Sequence, residues 1–246
     1  QYVIESLAQN GIRSIVLVVG YKKEQVLDYI GSGEQFGVNV TYVTQEKQLG
    51  TAHALAQARA VTDSEFLVLN GDKLIDANTI ADFVSSEPEA VLVTTVDNPS
   101  RYGVVTVVDG RVEKIAEKPE KAPTNIVNTG IYAFDKAVFD FIGPELDIPD
   151  VLNKMISEGK TFVSQETSGT WLDVVYPWDI LRLNDAVIRK MQPRVGGTIE
   201  QGAALKGLVS VGKGTVIRSN CYILGPVVIG ENCDIGPDVC LLPATS

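Results

Sequence analysis

The sequence predicts an α/β protein: a Rossmann-like mixed sheet with helices on both faces, followed by a truncated parallel β-helix. Two patterns indicate this fold. Short apolar segments alternate with amphipathic ones over residues 1–96, and aliphatic residues recur every six positions over residues 199–241. With 246 residues, 45% of them apolar, the chain can build two cores. We place the two domains at residues 1–192 and 193–246.

The first half predicts a strand–helix alternation. A helix over residues 1–10 ends at Asn10-Gly11, and the continuous apolar run Ser14–Val19 is typical of a buried parallel strand. The further segments predicted here are helices at 23–30, 51–61 and 79–84 and strands at 38–43, 66–69 and 90–96. Such alternation favours βαβ units and a parallel sheet between helices.

After Pro99 the rhythm changes to a hairpin whose turn is Asp109-Gly110, between strands at 104–108 and 112–115. The remaining predicted elements of the domain are strands at 127–134 and 161–165 and helices at 135–142, 149–158 and 178–191, the last with Pro177 at its first position.

The C-terminal segment carries two registers with a period of six. The first is aliphatic and consists of Ile199, Leu205, Val211, Ile217, Ile223, Ile229, Ile235 and Leu241. The second lies four residues further on and consists of Ala203, Val209, Thr215, Cys221, Val227, Cys233 and Val239. One inward aliphatic residue per short strand is typical of a parallel β-helix. The repeat stops without a cap at Ser246, so we expect a truncated helix.

Composition limits the classes of partner. A net charge of -10 argues against nucleic acid, which binds basic surfaces. No apolar run reaches the length of a membrane span, which argues against a membrane partner. Three cysteines without a paired spacing fit a reduced, cytoplasmic compartment.

Two loops of the α/β half carry candidate chemistry. Gly50-Thr51 opens a predicted helix, where backbone N–H groups at its positive end and the Gln45 amide could read a flat base; an ordinary helix start with Thr51 as N-cap is the alternative. Asp72 follows the buried strand at 66–69, at the sheet edge where such folds bind ligands. Its carboxylate suits Mg²⁺, or it is a turn aspartate. His53, the single histidine, is predicted to pack in the helix or to support its neighbours.

The segment from Gln45 to Ala54, Gln-x-x-Gln-Leu-Gly-Thr-Ala-His-Ala, resembles the base-recognition segment of sugar-phosphate nucleotidyltransferases. The two-domain uridylyl- and thymidylyltransferases of that family are the most similar type. The resemblance implies a left-handed hexapeptide-repeat β-helix. It also implies a nucleotide site formed by Gln45, Gln48, Gly50, Thr51 and Gly71.

The same resemblance implies Asp72 and Asp173 as catalytic residues that bind Mg²⁺, the second in a Trp-Leu-Asp segment. The chain departs from the family pattern at Val175, where glycine is usual. The sugar phosphate would be held by residues of Tyr-Gly, Glu-Lys-Pro and Asn-Thr-Gly segments, namely Tyr102, Gly103, Glu117, Lys118 and Asn128.

The resemblance implies transfer of a nucleotidyl group from UTP or dTTP to glucose 1-phosphate or N-acetylglucosamine 1-phosphate, with release of pyrophosphate. The family's first strand and Gly-rich phosphate loop would precede Gln1, so we expect little activity from this fragment. The alternative is a non-catalytic regulatory or assembly relative. A longer parent could add sugar acetyltransferase activity, and β-helix faces suggest a dimer or trimer.

Overall fold

The computed structural model describes residues 1–62, 64–84, 89–143, 147–167, 169–174 and 176–243, the side chain of Asp82 excepted. The chain divides into two compact units, Gln1–Leu172 and Asp173–Ser246, and each is described by itself. Within the described ranges, every helix is too short or too polar to span a lipid bilayer.

The first unit contains six α-helices, two short 3₁₀ helices (Glu34–Phe36 and Pro99–Arg101) and ten strands among its described residues. The helices are α1 Tyr2–Gln9, α2 Lys23–Ile30, α3 Thr51–Gln57, α4 Ala77–Val84, α5 Val138–Phe141 and α6 Ile148–Ser157. The strands are β1 Ser14–Val19, β2 Asn39–Thr44, β3 Glu65–Leu69, β4 Lys73–Ile75, β5 Ala90–Thr95, β6 Gly103–Val108, β7 Arg111–Glu117, β8 Ile126–Asp135, β9 Val163–Glu166 and β10 Trp171–Asp173. The last residue of β10 already belongs to the second unit.

The sheets of this unit are mixed. β1 and β2 form a parallel pair, β4 pairs with β10, and the six-stranded sheet has the order β3-β8-β5-β9-β7-β6. In that sheet β5 is antiparallel to β8 and parallel to β9, while the other ladders are antiparallel. The mixed sheet of the sequence prediction is therefore confirmed. Of the ladders in this unit whose direction is defined by the described residues, only β1–β2 and β5–β9 are the parallel ones expected from the strand–helix alternation.

Helices cover both faces of the six-stranded sheet. Along β5, Val91 and Val93 enter one apolar cluster, whereas Ala90 and Leu92 enter the other. This alternation follows from the two-residue period of a strand. The first cluster packs against α3, α5 and α6, and the second against α1, α2 and α4. Both layers are fully buried at their centres, as at Phe83 and Met155.

The second unit contains one helix and a series of two- and three-residue strands. They are α7 Asp179–Lys190, β11 Thr198–Ile199, β12 Ala204–Lys206, β13 Val209–Val211, β14 Val216–Ile217, β15 Tyr222–Leu224, β16 Val227–Ile229, β17 Asp234–Ile235 and β18 Cys240–Leu241. The strands form three small sheets, β11-β14-β17, β12-β15-β18 and β13-β16.

Every ladder in these three sheets is parallel, and each joins residues 18 positions apart, such as Thr198 to Val216 and Ala204 to Tyr222. Three of the predicted six-residue repeats span the 18 positions that separate two paired residues. The aliphatic register lies inside: Ile217 and Ile223 are fully buried, and the rest of the register belongs to the same apolar cluster. Gly212 lets successive layers approach, because a Cβ there would lie 2.4 Å from the carbonyl oxygen of Gly230. The three cysteines are free, with Cys221 buried, Cys233 half-buried and Cys240 exposed.

Candidate active site

The loop between β2 and α3 is organised around the side chain of Gln45. This buried side chain donates from Nε2 to the carbonyl oxygen of Gly50 at 3.0 Å and lies 2.9 Å from Nδ1 of His53. Gln48 in turn donates to the backbone oxygen of Gln45 at 3.0 Å. The Gln45 amide is therefore fixed, and the contact with His53 is the supporting role that the sequence predicts for that histidine.

Gly50 and Thr51 form the start of α3. Gly50 has a φ of 129°, which favours glycine because other side chains rarely adopt it. The N–H and the hydroxyl of Thr51 both donate to the carboxylate of Asp147, at 3.0 and 3.1 Å. The alternative in which Thr51 is the N-cap of this helix is wrong, since Gly50 is the N-cap residue.

An open cleft of about 250 Å³ lies beside this loop, at the carboxyl ends of β1 and β2. Among its lining residues are Tyr21, Lys23, Gln45 and Gln48. Gly20 directly follows β1 and has no side chain, and a Cβ there would lie 2.5 Å from Nε2 of Gln48. Polar donors and an exposed aromatic ring therefore border a recess at the edge where parallel strands present ligands.

Gly71 and Asp72 form the turn between β3 and β4. The Asp72 side chain is 63% exposed, and its Oδ1 lies 3.8 Å from Nζ of Lys73, whose own side chain is only 10% exposed. The Lys73 ammonium also lies 5.7 Å from the centroid of the Trp171 ring. Lys73 is not among the site residues predicted from the sequence. Its position directly after the predicted site residues Gly71 and Asp72 could have indicated it.

Three predicted sugar-binding residues meet on neighbouring strands. Gly103 at the start of β6 pairs with Glu117 at the end of β7, and a Cβ on Gly103 would lie 2.9 Å from Oε2 of Glu117. The same position lies 3.6 Å from Cβ of Asn128 on β8. The missing side chain of Gly103 thus leaves room for the Glu117 carboxylate beside Asn128, and these residues form what we call the sugar cluster.

Tyr102 and Lys118 border the sugar cluster. Lys118 donates its N–H to the carbonyl oxygen of Tyr102 at 3.0 Å, and its ammonium lies 3.8 Å from Oε1 of Glu117. The Tyr102 ring meets the Trp171 ring edge-on, with centroids 5.4 Å apart. Trp171 therefore connects the sugar cluster with Lys73 and Asp72.

Asn128 is held by Tyr132, which the sequence analysis did not single out. Asn128 donates to the Tyr132 hydroxyl at 2.6 Å, while its Oδ1 accepts from the N–H of Gly130 at 2.9 Å. Burial, with smaller contributions from the charges of Glu117 and Asp147, raises the pKa of Tyr132. Tyr132 is therefore a neutral phenol that fixes the orientation of the Asn128 amide.

Asp173 is the last residue of β10 and the first of the second unit. Val175, where the sequence departs from the family pattern, lies outside the described residues. The Trp171 side of β10 is anchored in the first unit, because the indole N–H donates to the carbonyl oxygen of Thr129 at 3.0 Å. No cluster of three or more histidine, cysteine or acidic ligands occurs in the described part of the chain.

Comparison with known proteins bears on this arrangement. A family model described as nucleotidyl transferase matches residues 1–190. The chain belongs to the nucleotidyl transferase family. A second model, bacterial transferase hexapeptide (six repeats), matches residues 209–242 of this nucleotidyl transferase family member, which agrees with the six-residue period of its sequence.

Relatives of this nucleotidyl transferase include the bifunctional protein GlmU of Methanococcus maripaludis, 35% identical over 89% of the chain and 54% of the relative. GlmU of Methanococcus vannielii is 34% identical over the whole chain and 61% of its own length. The chain thus spans little more than half of these curated relatives. A glucose-1-phosphate thymidylyltransferase of Streptomyces antibioticus is 32% identical, with 100% of the chain and 72% of that protein covered.

A crystal structure from Bacillus anthracis, assigned as a glucose-1-phosphate thymidylyltransferase and solved with sucrose, has a TM-score of 0.69 to this nucleotidyl transferase. It is 29% identical, and the match covers 78% of the chain and 82% of that structure. The α/β nucleotidyltransferase fold is shared.

Proposed function

We propose that the protein to which this chain belongs transfers a nucleotidyl group from UTP or dTTP to a sugar 1-phosphate, either glucose 1-phosphate or N-acetylglucosamine 1-phosphate. The observation that carries the proposal is the sugar cluster of Gly103, Glu117 and Asn128 on three neighbouring strands. Through Trp171 it adjoins Lys73 and Asp72, so that hydroxyl-binding groups and a carboxylate for phosphate chemistry share one side of the unit.

The reaction is an in-line displacement. An oxygen of the sugar 1-phosphate forms a bond to the α-phosphorus of the nucleotide, the bond from that phosphorus to the bridging oxygen breaks, and pyrophosphate leaves. Such a reaction needs positioning and charge neutralisation rather than a covalent intermediate. Glu117 accepts hydrogen bonds from sugar hydroxyls, the Asn128 amide contacts a hydroxyl or acetamido group, and Lys118 faces the sugar phosphate. Tyr102 and Gly103 shape that side of the site.

The nucleotide base is assigned to the loop between β2 and α3. The fixed Gln45 amide, with Gln48 and the turn at Gly50-Thr51, borders the cleft at the carboxyl ends of β1 and β2. Amide groups held in one orientation read the edge of a base better than mobile ones, since less conformational entropy is lost on binding. Gly71 allows the nucleotide to approach Asp72 because no atom lies within 4 Å of its missing Cβ.

Mg²⁺ fits the acidic residues available. This ion is usually bound by one or two carboxylates, water and substrate phosphates rather than by a protein cage. The exposed Asp72 carboxylate meets that requirement, and we propose Asp173 as the second ligand. When bound, the ion neutralises phosphate charge that develops during the transfer.

For the C-terminal part we propose the start of a left-handed parallel β-helix over residues 193–246, with residues 1–192 as the nucleotidyltransferase domain. The 18-residue step of the three parallel sheets and the buried aliphatic register support the coil. Because a coil of this kind presents flat faces, we propose a homo-oligomer, a dimer or trimer, for the full-length protein.

The test is pyrophosphate release by the full-length protein with each pairing of UTP or dTTP with glucose 1-phosphate or N-acetylglucosamine 1-phosphate. At least one pairing should be turned over in the presence of Mg²⁺. Asp72→Asn should lower kcat by at least about 100-fold, because a neutral amide binds the ion poorly. Asp109→Asn, in the exposed turn between β6 and β7, removes the same charge away from the site and should keep full activity.

Pyrophosphate release that persists in Asp72→Asn would reject the metal role of Asp72. A folded full-length protein without turnover of any pairing would reject the enzyme and favour the non-catalytic alternative.

A further inference from the structure

Asp147 precedes α6, but its side chain serves a different helix. Its Oδ1 accepts hydrogen bonds from both the N–H and the hydroxyl of Thr51, at 3.0 and 3.1 Å. Asp147 gives no side-chain cap to α6 itself. A carboxylate is stabilising at this place, because the first N–H groups of a helix have no partner within it and carry partial positive charge.

The contact is reciprocal. The hydroxyl of Thr51 accepts a hydrogen bond from the N–H of Ile148, the first residue of α6, at 2.9 Å. The starts of α3 and α6, 97 positions apart at Thr51 and Ile148, are thus tied by three hydrogen bonds. The turn at Gly50-Thr51 therefore takes its position from α6, which is anchored in the core by four buried apolar residues.

The Asp147 carboxylate accepts two of these hydrogen bonds, both from Thr51. The Asn128 amide of the sugar cluster is held instead by Tyr132 and Gly130. Asp147 is therefore bonded to the loop assigned to the base and not to the strand that carries Asn128.

We infer that Asp147 is a positioning residue for nucleotide binding, which acts through Thr51 by holding the Gly50-Thr51 turn in the orientation that meets the base. The inference rests on the proposed function. Since Asp147 bonds the loop and not the sugar cluster, its loss should weaken nucleotide binding selectively. The rate of the chemical step depends on groups that Asp147 does not touch.

Steady-state kinetics of the full-length protein test this inference. Asp147→Ala should raise the KM for the nucleoside triphosphate about tenfold, while kcat and the KM for the sugar 1-phosphate stay within about twofold. Asp147→Asn should stay within about threefold of wild type for all three constants, because its amide oxygen still accepts from Thr51.

A double-mutant cycle separates positioning from general loosening. If Asp147 acts through the Thr51 hydroxyl, Asp147→Ala should have a clearly smaller effect on the nucleotide KM in a Thr51→Val background than alone. Asp140→Ala is the matched control: it removes another exposed aspartate, which pairs with Arg59 just after α3 at 2.7 Å. That variant should leave the nucleotide KM unchanged.

The inference is overturned if wild type is active and Asp147→Ala leaves the nucleotide KM unchanged, if its effect is the same with and without Thr51→Val, or if Asp140→Ala raises this KM equally. A wild type that turns over none of the four substrate pairings is a different result, because it rejects the proposed function itself.

Discussion

The ammonium of Lys73 lies 3.8 Å from the carboxylate of Asp72, although the Lys73 side chain is only 10% exposed and the Asp72 side chain is 63% exposed. A lysine so deeply buried needs compensation, and here the Trp171 ring and the Asp72 charge supply part of it. The consequence concerns metal binding: a divalent cation on Asp72 would meet a positive charge already in place.

We therefore expect Lys73→Met to bind Mn²⁺, a spectroscopic substitute for Mg²⁺, more tightly than wild type in the absence of nucleotide. Coulomb repulsion over about 4 Å is on the order of 1 kcal/mol or more, which corresponds to at least about fivefold in affinity. Electron paramagnetic resonance titration measures free Mn²⁺ directly. Lys160→Met also removes one positive charge, by breaking the ion pair with Glu89, and is the control for the change in net charge. Equal Mn²⁺ affinity in Lys73→Met and wild type would contradict the idea.

Gly103→Ala tests the sugar cluster. The new Cβ would lie 2.9 Å from Oε2 of Glu117 and 3.2 Å from Cγ2 of Ile115, so the Glu117 carboxylate must shift from its present position. The KM for the sugar 1-phosphate should rise at least about tenfold, with a smaller change for the nucleotide, because a displaced hydrogen-bonding group loses specific contacts. Gly230→Ala, whose Cβ would meet only Sγ of Cys233 at 4.0 Å, should be close to wild type. A normal sugar 1-phosphate KM in Gly103→Ala would exclude the predicted role of Glu117.

Much of the fold could be predicted from local pattern. The strand Ser14–Val19 and the helix Lys23–Ile30 have the predicted bounds, because a continuous apolar run marks the first and an amphipathic pattern marks the second. The strands β4 and β10, with three residues each, were missed because no period develops over so short a length. The strand at 127–134 was predicted and is β8, but its antiparallel pairing with β3 and β5 was not. The paired residues of β5 and β8 lie 31 or more positions apart in the sequence, as in the pair Thr95 and Ile126.

In the candidate site, too, residues of short local segments could be predicted and long-range contacts could not. Gly103 and Glu117 could be proposed because their short segments, Tyr-Gly and Glu-Lys-Pro, resemble those of a known family, and the structure pairs the two residues across a local hairpin. Asp147 could not, since its partner Thr51 lies 96 positions away and a single aspartate before Ile148-Pro149 reads as a cap for its own helix. Long-range polar contacts of this kind leave no periodic trace in a sequence.

Asp76 should make stability depend on pH. Burial alone would raise its pKa, but hydrogen bonds from the N–H groups of Thr79 and Thr170, at 2.9 and 3.0 Å, and from their hydroxyls outweigh it and hold the pKa of Asp76 well below its usual range. A carboxyl group with a depressed pKa stabilises the fold above its unfolded pKa of about 3.9, and this contribution is lost as the pH falls below that value.

Asp76→Ala should therefore be less stable than wild type by about 1–3 kcal/mol at pH 7, with a smaller difference near pH 3. Urea unfolding of both proteins at pH 7 and at pH 3 measures this difference in the free energy of unfolding. Asp28→Ala, exposed on α2, controls for the loss of one negative charge. A difference between Asp76→Ala and wild type that grows as the pH falls would reverse the sign and refute the argument.

Ile223→Ala tests whether the six-residue register forms the core of the second unit. Ile223 is fully buried on β15 with Ile217 and Cys221 in the same cluster, whereas Val228 on β16 is 44% exposed. Truncating a buried isoleucine leaves a cavity and costs about 2–5 kcal/mol, while Val228→Ala should cost less than about 1 kcal/mol. Urea denaturation followed by far-ultraviolet circular dichroism gives both values. Val228 lies one residue before Ile229 of the same register. If the register were shifted back by one residue, Val228 would point inward and Ile223 outward, and Val228→Ala would then be the more destabilising variant.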